Sequence, residues 1–246
     1  MKILVTGAAG MLAAEVVPEL KSNGHTVIET DINLRLSSII KMDFTDINSI
    51  EDLIKQHKPD FIFHLAALTD VDLCEKEPEL AYRVNYIGTE NIALMCYKYN
   101  LPLLYISTGG VFNGQKVSAY TEFDQPDPVN KYADSKLRGE QVIQHLLTKY
   151  FIIRAGWMIG GGDIDKKFVF KIVQQLKEGK TELKVVDDKF GSPCFTFDFA
   201  KQILPIIEMG RYGIYHCANG GFVSRYEIAQ KIVELMKLKE KKKIIY

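Results

Sequence analysis

Tyr132 and Lys136 stand four residues apart in the run Lys131-Tyr132-Ala133-Asp134-Ser135-Lys136, which reads as helix. Residues so spaced share one helix face. A free tyrosine ionises near pH ~10, too high for ready proton exchange at neutral pH, and a neighbouring ammonium favours the phenolate. The pair therefore predicts a general acid or base on Tyr132, its pKa lowered by Lys136. In a chain with 12 tyrosines this spacing also arises by chance, and a solvated helix face accounts for it equally. Position adds weight. An apolar strand ends at Ser107-Thr108, and a hydroxyl there can hydrogen-bond the oxygen that Tyr132 protonates. Such a set suits hydride transfer between a nicotinamide and a carbonyl.

A second constellation opens the chain. Lys2-Ile3-Leu4-Val5-Thr6 reads as a strand, followed by Gly7-Ala8-Ala9-Gly10-Met11-Leu12-Ala13 and a helix over Ala14–Lys21. Strand, glycine turn and helix form a dinucleotide site: Gly7 allows the tight turn, Gly10 the close approach of a pyrophosphate, and Ala13 tight helix packing. The helix start supplies free N–H groups and a positive dipole end. A plain strand-to-helix turn would look similar, so Asp31 matters. It ends the second strand about 20 residues on, where a carboxylate takes ribose hydroxyls, which favours NAD(H). Arg35 offers a guanidinium to a 2′-phosphate and keeps NADP(H) open.

The elements that must hold these groups alternate. Strands are expected at Lys2–Thr6, His25–Thr30, Ile39–Met42, Phe61–Leu65, Leu101–Ser107 and Phe151–Arg154. Helices are expected at 46–57, with Asp46 as N-cap, at Glu79–Tyr99 and at 131–149. This rhythm predicts an α/β fold: a doubly wound, parallel, Rossmann-type sheet with ligands beyond the strands' carboxyl ends. Ala66-Ala67 lies at such an end, and 109–130 is too long for a plain connection. Past the Gly160-Gly161-Gly162 break, helices at 166–178, 196–208 and 225–237 and strands at 183–186 and 213–216 are expected, with a loop at 187–193. Residues 1–154 read as the dinucleotide domain and 155–246 as a small C-terminal substrate lobe, with some segments returning to the main domain.

The 246 residues carry zero formal net charge, so nothing favours nucleic acid or an anionic membrane. The basic run Lys239 to Lys243 reads as a solvated helix end. Cys74, Cys96, Cys194 and Cys217 show no paired spacing and are expected as buried, reduced thiols of a cytoplasmic protein. The five histidines are scattered, so no metal site is expected. No apolar run is long enough to span a bilayer, and a strand starting at residue 2 leaves no room for a signal peptide.

Gly7-x-x-Gly10-x-x-Ala13, Ala66-Ala67, Thr69-Asp70-Val71-Asp72, Glu77-Pro78, Asn85, Ile106-Ser107-Thr108, Val111-Phe112 and Tyr132-x-x-x-Lys136 together resemble the extended short-chain dehydrogenase/reductases. Tyr132 to Gln141, Arg154-x-x-Trp157 and Val185-Val186-Asp187-Asp188 leading to Gly191-Ser192-Pro193 narrow the likeness to the dTDP-4-dehydrorhamnose reductase subgroup, over nearly the whole chain. The resemblance implies an NAD(P)H-dependent reductase that delivers hydride to C4 of a nucleotide-linked 4-keto-6-deoxy sugar, in polysaccharide biosynthesis. It puts Thr108, Tyr132 and Lys136 at catalytic positions, Lys136 also holding the nicotinamide ribose. The expected cofactor set is Gly7, Gly10, Met11, Leu12, Asp31, Arg35, Asp43, Phe44, Leu65, Ala66 and Ala67, with Tyr132 and Lys136. The expected substrate set is Thr69, Val71, Trp157 and Ser192. By its own chemistry Trp157 is equally a packed core aromatic, and the turn at Ser192 equally structural. A homodimer is the expectation from relatives.

Two departures stand out. The subgroup reads Ser-Thr-Asp-Tyr-Val-Phe-Asp-Gly where this chain has Ser107-Thr108-Gly109-Gly110-Val111-Phe112-Asn113-Gly114. Two side chains beside the expected sugar are missing, which puts the sugar's identity in question. The chain also ends at Tyr246, where the subgroup continues, so a truncated chain or a reduced lobe is expected. Two other readings stay open: an epimerase or dehydratase, and a non-catalytic NAD(P)-binding regulatory subunit like that of methionine adenosyltransferase. The lack of an Asp-Glu pair after Thr108 counts against a dehydratase. Retention of Thr108, Tyr132 and Lys136 together counts against a non-catalytic subunit.

Overall fold

The computed structural model describes residues 1–238 and 243–245. β1 (Lys2–Thr6) enters the glycine turn and α1 (Ala13–Ser22), and β2 (Thr26–Asp31) and β3 (Ile40–Lys41) follow outward. After α2 (Ile47–His57) the chain returns beside β1 as β4 (Phe61–His64). α3 (Val71–Lys76), α4 (Pro78–Tyr82) and α5 (Gly88–Tyr99) lead to β5 (Leu103–Thr108), and α6 (Lys131–Leu146) to β6 (Tyr150–Ala155). Then come β7 (Trp157–Ile159), α7 (Phe168–Lys177), β8 (Glu182–Lys184), β9 (Phe190–Gly191), β10 (Pro193–Phe195) and α8 (Thr196–Glu208). β11 (Gly213–Cys217), β12 (Val223–Ser224), α9 (Arg225–Leu235) and β13 (Lys243–Ile245) complete the order.

Seven strands make one parallel sheet in the order β11-β6-β5-β4-β1-β2-β3. The winding reverses between β1 and β4, the switch point beyond which such sheets bind ligands. Apolar stripes of α1 and α8 cover one face, where Val16, Leu20, Phe199 and Ile203 meet Ile3, Val5 and Phe63. Those of α2, α5 and α6 cover the other, where Ile50, Ile92 and Ile143 meet Leu4, Ile62 and Ile152. The central strands are therefore apolar on both sides, as a buried parallel sheet requires. At the start of α2 the Asp46 carboxylate accepts the Asn48 N–H at 3.0 Å, an ordinary N-cap.

The helix read over 79–99 is not continuous. α4 and α5 are joined by a π-helical turn, Arg83–Ile87, and α3, which has too few apolar positions to show a period, precedes them. α6 ends at Leu146, because Leu147 is already extended toward β6. The expected loop at 187–193 holds β9, paired with β12, and leads into β10, paired with β7. Strands of two or three residues carry no alternation to read.

Beyond residue 155 the chain divides. α8 and β11 join the main sheet's layers, whereas α7, β8 and α9 bury a cluster of their own around Ile172, Leu176, Leu183 and Val233. The run Lys239–Lys243 lies outside the described residues, apart from the backbone of Lys243. Three of the four free cysteines are buried, but Cys217 is part-exposed at the end of β11. Among the described residues no helix is long and apolar enough to cross a membrane, and no cluster of metal-binding side chains occurs.

Candidate active site

Gly7 has a φ of +71°, and a Cβ there would lie 2.7 Å from the Ala66 backbone. Gly7 and Ala66 thus close the ends of β1 and β4 on one another. The turn is pinned outward: Ala8 N–H donates to Thr30 O at 3.1 Å, and Ala9 N–H donates to the Asp31 carboxylate at 3.0 Å. α1 has no side-chain N-cap, and its first turn closes on backbone instead, Ala14 N–H donating to Gly10 O at 3.2 Å and Val16 N–H to Leu12 O at 3.0 Å, with the positive end of the helix toward the turn. A turn that lacks Cβ atoms at Gly7 and Gly10, a helix start without a side-chain cap and a carboxylate at the end of β2 fit a dinucleotide. Leu12 can contribute only backbone, since its side chain is in the core. Met11 lies against the Gly160-Gly161-Gly162 segment, where a Cβ on Gly161 would come 2.3 Å from Met11 Cγ.

Other members of the expected cofactor set divide by exposure. Arg35 is exposed, while Leu65, Ala66 and Ala67 are part-exposed past β4. The Asp43 carboxylate is engaged by its own turn, accepting from Thr45 N and Thr45 Oγ1 at 2.9 and 2.7 Å. The Phe44 ring packs edge-on to His64 with centroids 5.0 Å apart, and also against Gly88.

The candidate reacting groups gather at the end of β5 and the start of α6. Tyr132 is pushed up to about 12 by burial, and the Thr108 hydroxyl turned toward its phenol opposes the rise. The Gly110 N–H donates to Thr108 Oγ1 at 3.0 Å, leaving the hydroxyl hydrogen free for the phenol. The expected lowering of Tyr132 by Lys136 is not what the geometry provides. Lys136 is 2% exposed, and its Nζ sits 4.0 Å from the centroid of the Tyr105 ring. Burial pushes this lysine down to about 7, against the pull of the Glu140 carboxylate. The reason is depth: one turn beyond Tyr132, α6 has entered the core, and the ammonium meets an aromatic face. At neutral pH Tyr132 keeps its proton.

Around this pair runs a buried polar lattice. Thr6 Oγ1 meets His64 Nδ1 at 2.7 Å, and His64 Nε2 meets Thr89 Oγ1 at 3.2 Å. Burial and Lys136 hold His64 at about 3, so it is neutral. In the π-turn Asn85 accepts from Leu68 N at 2.8 Å and donates to Ser135 Oγ at 3.1 Å, which ties the turn to α6. The loop after Thr108 is built rather than slack: Phe112 stacks on Tyr120, and the Glu122 carboxylate accepts the His216 N–H at 2.9 Å.

The expected substrate residues follow the carboxyl ends of β4 and β6 or, for Ser192, immediately precede β10. Thr69 and Val71 are exposed around the start of α3. Trp157 follows β6; its backbone N–H donates to Ser192 O at 2.9 Å, and a Cβ on Gly191 would strike its ring at 2.5 Å. Gly191-Ser192 is therefore the seat of Trp157. The Ser192 hydroxyl is already engaged, donating to Gly221 O at 2.7 Å. Sequence reasoning missed Arg225, whose guanidinium lies between Trp157 and Phe168, 4.8 and 4.9 Å from their centroids. Three distant segments meet there, and no local pattern announces it.

A parallel sheet with a dinucleotide turn at its switch point and a Thr–Tyr–Lys set beyond β5 and on α6 defines an oxidoreductase of the extended short-chain dehydrogenase/reductase class. The sequence pattern of the family described as RmlD substrate binding domain matches residues 1–244, and the chain belongs to that family. It is 37% identical over 233 residues to the spore coat polysaccharide biosynthesis protein SpsK of Bacillus subtilis, covering 95% of this chain and 78% of that one. The dTDP-4-dehydrorhamnose reductase of Mycolicibacterium smegmatis is 34% identical over 235 residues, covering 95% and 68%. The crystal structure of dTDP-4-dehydrorhamnose reductase from Bacillus anthracis in complex with NADP superposes with a TM-score of 0.90 at 35% identity, covering 99% and 83%.

Proposed function

We propose that this chain reduces the 4-keto group of a nucleotide-linked 6-deoxy sugar, with Tyr132 as proton donor. The observation that carries the reading is the Thr108 hydroxyl beside the Tyr132 phenol at the ligand end of the sheet. Kinship with proteins named dTDP-4-dehydrorhamnose reductase supports the substrate class. NAD(P)H would supply the hydride, held by the Gly7–Gly10 turn, Asp31 and Lys136. The chain's own groups do the rest. Thr108 orients the carbonyl oxygen, Tyr132 protonates it as negative charge develops, and Lys136 holds the ribose. Trp157, Thr69, Val71 and Ser192 frame the sugar. Arg225, held between two rings and without an ion-pair partner among the described residues, suits the diphosphate.

On the coenzyme, Asp31 favours NADH and the exposed Arg35 offers a contact to NADPH, so both are accepted, with NADH ahead. The test is oxidation of NADH and NADPH with a dTDP-4-keto-6-deoxyhexose, followed by absorbance. Turnover with either coenzyme is expected. Intact coenzyme binding without turnover would overturn the substrate and point to a regulatory role.

A further inference from the structure

Tyr132, Lys136 and Glu140 are spaced four apart and form one stripe along α6. Each meets β5 at its own level: Tyr132 faces Thr108, Lys136 covers Tyr105, and Glu140 reaches Ser107. Glu140 is wholly buried, and its partners Ser107 and Arg154 are 3% and 4% exposed. The Ser107 hydroxyl donates to Glu140 Oε1. Arg154 donates to the same carboxylate from Nε at 3.1 Å and from Nη2 at 2.7 Å. Ser107 on β5 and Arg154 on β6 are register partners, so one carboxylate fastens the helix to two adjoining strands. The fastening comes immediately before Thr108. A Cβ on Gly139 would lie 2.6 Å from the Tyr105 hydroxyl, so α6 already sits as close to β5 as the backbone permits.

A buried ion pair is a weak source of stability, since apolar side chains of similar size serve as well or better. Its directionality is what an apolar pair lacks. We propose that Glu140 is a positioning residue of the reductive site. Through Ser107 and Arg154 it holds the Tyr132–Lys136 face of α6 in line with Thr108, and it places a negative charge one turn from Lys136. This deepens the reductase reading and rests on it. Lys136 is faced by His64 from β4, Tyr105 from β5 and Glu140 from its own helix, with Arg154 of β6 behind Glu140. Within that group Glu140 is the one that favours the ammonium.

Ser107→Ala keeps the ion pair and removes one tie. Its kcat is expected to fall about tenfold, with both KM values within about twofold and the melting temperature nearly unchanged. Glu140→Gln keeps the shape and removes the charge. Coenzyme binding, read by NADPH fluorescence from about pH 5 to 9, should then weaken at a pH about one unit lower than in the wild type, because the ammonium has lost its counter-charge. The double variant Glu140→Leu with Arg154→Met should fold yet stay slow. Wild-type kcat in Ser107→Ala, or an unshifted binding profile in folded Glu140→Gln, overturns the proposal. If Glu140→Gln does not fold, the kcat and KM of Ser107→Ala decide. If the wild type binds coenzyme but leaves the keto sugar unreduced, the reductase reading fails, and the binding profile still decides the role of Glu140.

Discussion

The two walls proposed for the site, one on α6 and one on the C-terminal lobe, are built on opposite plans. On the α6 side the buried polar side chains Asn85, Ser107, Ser135 and Glu140 all find partners within the chain. On the lobe side Trp157 rests on Gly191 and covers Arg225, while Phe190 and Phe222 stand 60% and 75% exposed. The first wall is arranged before any ligand arrives, as a transition state with little tolerance for misplacement needs. The second presents aromatic surface and a cation to whatever is bound. The difference assigns rate to the first wall and affinity to the second, and each assignment can be broken.

The largest effect belongs to Tyr132. Tyr132→Phe removes the proposed proton donor and leaves the packing, so kcat should fall at least about a hundredfold while coenzyme affinity holds. Steady-state kinetics beside fluorescence titration checks this. A loss under fivefold would mean that the proton comes from elsewhere and that the α6 wall is scaffold only.

His64 tests how far the preorganised wall depends on staying neutral. Its folded pKa is about 3 against an ordinary 6.5. The unfolded chain takes up this proton as pH drops below about 6.5, while the folded chain refuses it until about 3. Stability should therefore be level above that window and fall through it by about 1.4 kcal/mol per pH unit from this group. Urea unfolding at several pH values, for the wild type and His64→Gln, isolates the slope. Equal slopes would show that His64 charges without cost, and that the lattice around Thr6 and Thr89 is looser than its distances imply.

What could be read without coordinates divides along the same line. The glycine turn, Asp31, the Asp46 cap, the bounds of α8 and the shared face of Tyr132 and Lys136 follow from spacings of a few residues, which a helix or strand converts directly into geometry. Spacing says nothing of depth. The shared face was legible, but the descent of Lys136 onto Tyr105 was not, and so the direction of the Tyr132 shift was misread. The π-turn that aims Asn85 at Ser135 has no sequence period to mark it. The lobe was hardest, because Trp157, Phe168 and Arg225 come from three segments and its strands are two or three residues long.

Arg225 measures the second wall. Arg225→Leu should raise the KM for the nucleotide sugar about tenfold, with kcat within about twofold, because the lost contact serves substrate and transition state alike. A fall in kcat instead would place the guanidinium in the chemistry and erase the division between the walls.

The smallest effect sits where the walls meet. Neither Gly109 nor Gly110 takes a positive φ, so the backbone does not demand glycine at either position. A Cβ at Gly109 would lie 3.5 Å from Ala155 O, an ordinary contact, and Gly109→Ala should leave kcat within about twofold. A Cβ at Gly110 would lie 3.3 Å from Thr108 Oγ1, so Thr108 must give by a few tenths of an ångström. Its hydroxyl then leaves the direction that the Gly110 N–H imposes, and Gly110→Ala should lower kcat about fivefold with little change in KM. A matched pair of kcat values would remove this turn from the aligned side. If only Gly110→Ala is slow, the aligned side extends one residue past Thr108, and the bare surface of Gly109 is left to the substrate.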